Sequence, residues 1–138
     1  MSLFGLLDVS GSALAAQSVR LNTIASNLAN AESVSGSAED AYKAKQPIFS
    51  SMVSGGLRSN DALVGVSLDR VVESAAQPRK EYAPGHSLAD AEGYVYYSNV
   101  NAVEEMANMI SASRSYQNSV EVMNTSKQLL IQTLNIGR

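Results

Sequence analysis

The chain has 138 residues and a mass of 14.6 kDa, enough for one domain, or one with an insertion, but not for two full cores. Apolar residues make up 45%, yet the aromatics are six Tyr and two Phe with no Trp, and Ser outnumbers Leu 21 to 13, a supply that suits closely approaching helices better than a pocketed enzyme. A net charge of -3, a pI of about 5.0 and dispersed Lys and Arg exclude the basic face that nucleic-acid binding needs, and the absence of Cys excludes disulfides, thiolate nucleophiles and cysteine metal sites.

The first eight residues are only briefly apolar, lack basic residues and reach Asp8 early, so no cleaved secretory signal is expected. No window approaches the ~20 apolar residues that span a bilayer, and no membrane insertion is expected. Beyond this the chain divides into a helical segment, residues 1–31, a β-rich middle with loops, residues 32–99, and a long C-terminal helix, residues 100–138.

In the first segment Leu7, Leu14, Leu21 and Leu28 recur every seventh residue, with Ile24 and Ala31 three positions beyond the last two. That is a heptad seam. Gly5 and Gly11 each cost about 1 kcal/mol in a helix interior, so the residues before about Ser10 read as a weaker helix or a separate turn. The cluster Glu32-Ser33-Val34-Ser35-Gly36-Ser37 has no periodicity and ends the helix.

The middle segment reads as strands and turns. Residues 42–53 form one candidate strand, and Gly55-Gly56 and Ser59-Asn60-Asp61 mark turns. Residues 63–73 form the clearest strand, since Val64, Val66 and Leu68 alternate before the parity slips at Val71 and Val72, which predicts a bulge. Pro78 and Tyr82-Ala83-Pro84-Gly85 are turn chemistry, and Tyr94-Val95-Tyr96-Tyr97 is a short aromatic strand.

The last segment carries apolar residues at seven of the nine positions 106, 109, 113, 116, 120, 123, 127, 130 and 134, spaced alternately three and four apart. Asn101 followed by Glu104 resembles a capping box, Glu104 and Glu105 complement the positive end of the helix dipole, and Gly137 stands where a C-terminal glycine belongs. A helix over 101–136 is roughly 54 Å long, whereas a compact globule of this length is roughly 37 Å across. The helix should therefore overhang, and its seam needs a partner.

Charge decides which partner. Arg20 is the only charged residue from Val9 to Ala31, and Arg114 and Glu121 are the only ones from Met106 to Ser126. Helices with a wet face normally carry Lys and Glu along it. Both terminal helices therefore read as enclosed on more than one side, which a monomer of this size cannot do; the alternative is an intramolecular two-helix coiled coil with an uncharged exterior. The predicted fold is α+β: long N- and C-terminal helices in a coiled-coil-like pair that packs with neighbouring subunits, with a small β-rich module inserted between them.

The search for chemistry finds little. His86, the one histidine, stands beside Ser87 and near Asp90, but sequence neighbours seldom form a triad and no nucleophile elbow supports Ser87. Asp90 with Glu92 is too sparse for calcium, no glycine motif cradles a phosphate, and the Met106, Met109 and Met123 stripe reads as packing. Asn124-Thr125-Ser126 matches a glycosylation sequon inside a helix and is read as chance. No enzyme, no metal and no cofactor is expected.

The stretch Asn99-Val100-Asn101-Ala102-Val103-Glu104-Glu105-Met106, with Met109-Ile110, Ala112-Ser113-Arg114-Ser115-Tyr116-Gln117 and Val120-Glu121-Val122-Met123-Asn124-Thr125, resembles the C-terminal signature of the bacterial flagellar basal-body rod proteins. Ile24-Ala25-Ser26-Asn27-Leu28-Ala29-Asn30-Ala31 is similar to the N-terminal motif that rod, hook and hook-associated proteins share, and the segment from Tyr82 to Val95 resembles the family's proximal members. Ser87 departs from a proline expected in many relatives. Glu32-Ser33-Val34-Ser35-Gly36 lacks the continuation seen in hook and distal rod.

The resemblance implies a non-enzymatic structural subunit of the proximal rod, exported through the flagellar type III export apparatus without signal cleavage and assembled in the periplasm. Its partners would be copies of itself, other rod proteins, the membrane-ring junction and the distal rod, with no nucleic acid. Its terminal helices would build a hollow torque-bearing shaft that leaves an export channel. The expected subunit-packing residues are Leu14, Leu21, Ile24, Leu28, Met109, Tyr116, Val120, Met123, Leu130 and Leu134. A cytoplasmic helical adaptor or secretion chaperone is the rival reading.

Overall fold

The fold is that of a computed structural model, which describes residues 3–54 and 63–136. Two long helices enclose a small β module in the chain, α1 (Leu3–Ala29) at one end and α2 (Ala102–Ile136) at the other. Between them lie β1 (Val34–Ser35), β2 (Lys45–Ser54), β3 (Leu63–Glu73), β4 (Arg79–Tyr82) and β5 (Tyr94–Tyr97). The architecture is α+β, as the sequence predicts. The turn glycines at 55 and 56, the 59–61 turn and Gly137 lie outside the described residues.

The helices pair side by side. The Ser98 amide donates to the Ser33 carbonyl at 3.3 Å, which sets the start of α2 beside the end of α1, so the pair is antiparallel. With 35 residues against 27, α2 is eight residues longer and overhangs by roughly 12 Å at 1.5 Å per residue. Asn101 caps α2, its Oδ1 accepting the Val103 and Glu104 amides at 3.1 and 3.4 Å.

The seam of the pair is built from small residues. On α2 the buried positions are Ala112, at 0% exposure, and Ser126, at 2%, with half-buried Ser119 midway at the same heptad position. α1 packs on α2 and on the hairpin, and its buried side chains, Ser10, Ala16, Thr23, Ile24 and Asn27, are divided between those two neighbours. The seam hydroxyls satisfy themselves on their own helix: Thr23 donates to the Val19 carbonyl at 2.9 Å, Ser119 to Ser115 at 3.0 Å and Ser126 to Val122 at 2.7 Å. Back-bonding of this kind lets a serine be buried without a partner across the seam.

Most of the residues that periodicity marks lie half-buried along the pair. Leu7, Leu14, Leu21 and Leu28 are only half-buried, and of the α2 series Met106 and Leu134 are 50% and 66% exposed. Half-buried Met109, Met123 and Leu130 alternate three and four residues apart with Ala112, Ser119 and Ser126 on the same side of α2, while Val103 and Ile110 lie on the exposed side. α1 also runs unbroken through Gly5 and Gly11 from Leu3. Packing along α2 outweighs the propensity cost of two glycines.

Two sheets make the module. β2 and β3 form an antiparallel hairpin with a register shift between Ile48 and Phe49, where Asp69 is the extra residue on β3. The bulge thus falls two residues before the predicted slip at Val71. The other sheet has the order β1-β5-β4, and neither β1 nor β4 is evident in the sequence pattern. The hairpin rests on α1 where Gly65 meets Ser12: a Cβ at Gly65 would stand 3.1 Å from Ser12 Oγ, which accepts the Val66 amide at 3.1 Å.

Candidate assembly surface

The two faces of the helix pair differ in chemistry, and the closed end explains how the pair is held. Asn27, 1% exposed, uses its amide as a peptide group: Oδ1 accepts the Lys45 amide at 2.8 Å and Nδ2 donates to the Lys45 carbonyl at 2.9 Å. The Tyr42 hydroxyl donates to the same Oδ1 at 3.1 Å. Asn99 does similar service, accepting the Ala44 amide at 2.6 Å and donating to the Ala76 carbonyl at 2.7 Å. Asn30 Nδ2 donates to the Ser26 carbonyl at 2.8 Å and closes the C-terminus of α1. These asparagines fall in the two motif segments, where charge and periodicity gave them no role.

Large apolar side chains lie outside. On α2, Val103 is 75% exposed, Ile110 57%, and Val122, Leu129 and Ile131 between 45% and 49%. The described buried apolar side chains are Ile24, Val95 and five alanines. The accessible surface is 9373 Å2, against about 6,900 Å2 for a compact monomer of this mass. The overhang of α2 and the exposed apolar side chains named above both belong to that excess.

The sequence-predicted packing residues are divided by the structure. Ile24 is buried; Leu14, Leu21, Leu28, Met109, Val120, Met123 and Leu130 are half-buried beside the seam; Tyr116, at 38%, and Leu134 are exposed.

Two residues of the imagined triad, His86 and Asp90, are engaged elsewhere. His86 Nδ1 accepts the Leu88 amide at 3.1 Å. Asp90 accepts the Tyr94 and Glu92 amides on Oδ1 at 2.8 and 2.9 Å and the Tyr96 hydroxyl on Oδ2 at 3.2 Å. The Tyr94 amide is the main cause holding the Asp90 carboxyl below the ordinary carboxylate value. Asp90 is thus the hub of the turn between β4 and β5, and Gly93 completes it at φ 85°, where a Cβ would come within 3.0 Å of the Tyr82 ring. Ser126 of the sequon is sealed in the helix seam.

Comparison with known proteins agrees with this distribution. Residues 7–36 match the family model described as "Flagella basal body rod protein", and residues 91–136 match "Flagellar basal body rod FlgEFG protein C-terminal". The matched segments hold most of α1 and all of α2, so the class is that of the flagellar rod proteins. Relatives similar over the whole length of both chains are named flagellar basal-body rod protein FlgC in Salmonella typhimurium, at 49% identity, and in Yersinia enterocolitica, at 47%. One from Buchnera aphidicola is 42% identical over 99% of each chain. The chain belongs to the FlgC family of flagellar basal-body rod proteins.

Proposed function

We propose that this chain is a structural subunit of the proximal rod that becomes complete on polymerisation. The segments 1–31 and 100–138 act as its inner-tube part, and 32–99 as a module outside the tube. The observation that carries this is the apolar surface that α2 leaves exposed, at Val103, Ile110, Val122, Leu129 and Ile131. Neighbouring copies and other rod proteins cover the outer stripe, and the resulting wall leaves a channel. Torque then passes through many parallel helix contacts rather than through one interface. Family membership supports export through the flagellar type III apparatus without a cleaved signal and assembly in the periplasm, between the membrane-ring junction and the distal rod.

Tyr116 tests this reading. It is one of the packing residues expected from sequence, and it is 38% exposed at the margin of the helix pair. Tyr116→Asp should leave the monomer's stability within about 0.5 kcal/mol, as surface changes do, and should leave export intact while removing the protein from purified basal bodies. A charge in a dry neighbour contact lacks a partner. Normal incorporation and motility of this variant at normal protein level would contradict the reading. Retention of the native chain in the cytoplasm as a stable dimer would favour the adaptor or chaperone instead.

A further inference from the structure

The hairpin is fastened to the helices at two places of unequal strength. At its root Asn27 holds the Lys45 amide and carbonyl, Asn99 holds the Ala44 amide and the Ala76 carbonyl, and the Ser74 amide closes the two strands on the Ala44 carbonyl at 2.8 Å. Asn27 and Ala44 are buried, so water has little access to these bonds. Half-buried Pro47 and Phe49 line one groove with Thr23 and Ile24 of α1, next to the root.

Farther out, α1 holds β3 through Ser12, whose Oγ donates to the Val9 carbonyl at 2.8 Å and accepts the Val66 amide at 3.1 Å in a solvent-exposed bond. The contact there is small on both sides, since a Cβ added to Gly65 would stand 3.1 Å from Ser12 Oγ and 3.5 Å from Ser12 Cβ. The large side chains described in this half, Met52, Val64, Val66 and Leu68, are between 38% and 52% exposed and contribute little apolar burial. An exposed hydrogen bond with little apolar burial opens at lower free energy than a buried, multiply bonded junction.

Between the two fastenings lies a place to bend. The extra residue Asp69 interrupts the ladder between Ile48 and Phe49, and a bulge bends its strand and leaves one residue unpaired. The Asp69 and Arg70 side chains, 51% and 69% exposed, meet each other at 3.9 Å, so that pair does not tie the bulge to a helix. Beyond the bulge the register resumes from Phe49 opposite Leu68 to Ser54 opposite Leu63, and the Ser50 and Ser67 hydroxyls meet across the strands at 3.0 Å. The outer half therefore holds together as a unit independently of α1.

We propose that this outer half is a strap: it pivots at the Asp69 bulge, is latched on α1 by Ser12, and opens while the root at Asn27 and Asn99 stays closed. Such a strap changes the outer contour of the module without changing the aim of the helix pair. It is a property of the free subunit, so its test does not depend on polymerisation.

Spin labels read the strap directly, because the chain has no cysteine of its own. Ser18, Gln46 and Ser51 are exposed positions on α1, at the root and on the outer half. Labels on Ser18→Cys and Ser51→Cys should give one main distance in the free subunit, and adding Ser12→Ala should raise the share of a longer distance at least threefold. Labels on Ser18→Cys and Gln46→Cys should give one distance with or without Ser12→Ala. Ser12→Cys with Gly65→Cys checks the latched position: the 3.5 Å between Cβ positions is within disulfide reach and Gly65 is not a positive-φ glycine, so the pair should oxidise within one subunit. An outer distance that Ser12→Ala leaves unchanged, or a root distance that moves with it, would overturn the strap. A cysteine pair at 12 and 65 that stays reduced under mild oxidation would overturn the latch.

Discussion

The closed and open ends of the helix pair are held in opposite ways. At the closed end Asn27 and Asn99 replace peptide groups and bind Lys45, Ala44 and Ala76 backbone, so the junction of helices and module is satisfied within one chain. At the open end α2 runs on past α1 with Leu134 66% exposed. Specific hydrogen bonds set the geometry of the subunit; apolar surface without a partner is left for what it joins. On the proposed function, such a subunit is anchored where it aims its helices and open where it is joined.

The sharpest way to break the contrast is at Asn27. Asn27→Ala leaves the buried Lys45 amide and carbonyl without partners, and should destabilise the monomer by about 3 kcal/mol. A shift in the denaturant midpoint at unchanged slope would measure it. A loss no larger than that of an exposed substitution would mean that the closed end is not the anchor.

Ala112→Leu attacks the seam itself. At 0% exposure the position has no room for a larger side chain, and overpacking there should cost about 2 kcal/mol and push the helices apart. The same enlargement at Ala107, exposed on α2, should be neutral within error. Equal effects at the two sites would erase the distinction between inner and outer faces.

The smallest effect concerns the turn between β4 and β5. Because the folded-state pKa of Asp90 is lowered, its contribution is fully present above the ordinary carboxylate value and is lost as pH falls through the folded one. Asp90→Ala should therefore destabilise the protein at neutral pH and flatten the acid limb of its stability curve. Circular dichroism unfolding across pH 2 to 7 would show it, and an unchanged acid limb would count against Asp90 as the hub.

How much of this the sequence revealed depends on the signal each element carries. The strand over 63–73 and the aromatic strand over 94–97 match β3 and β5, since alternation and aromatic content survive in an isolated sequence. α2 follows from its cap and its periodicity. β1 is two residues inside a Ser-Gly run, and β4 is Arg79-Lys80-Glu81-Tyr82 with every side chain exposed, so neither shows alternation. On α2 the expected Met109, Met123 and Leu130 are half-buried and alternate three and four residues apart with Ala112, Ser119 and Ser126, and hydrophobic period marks the large members of that stripe while the small ones carry no apolar signal.

Hydrogen exchange of the subunit, free in dilute solution and again within isolated basal bodies, tests the central claim most directly. The account predicts that amides near Asn27, Lys45 and Asn99 are protected in both, while those of the last turns of α2, from Leu129 onward, are protected only in the assembly. Equal and strong protection of those turns in the free subunit would contradict it.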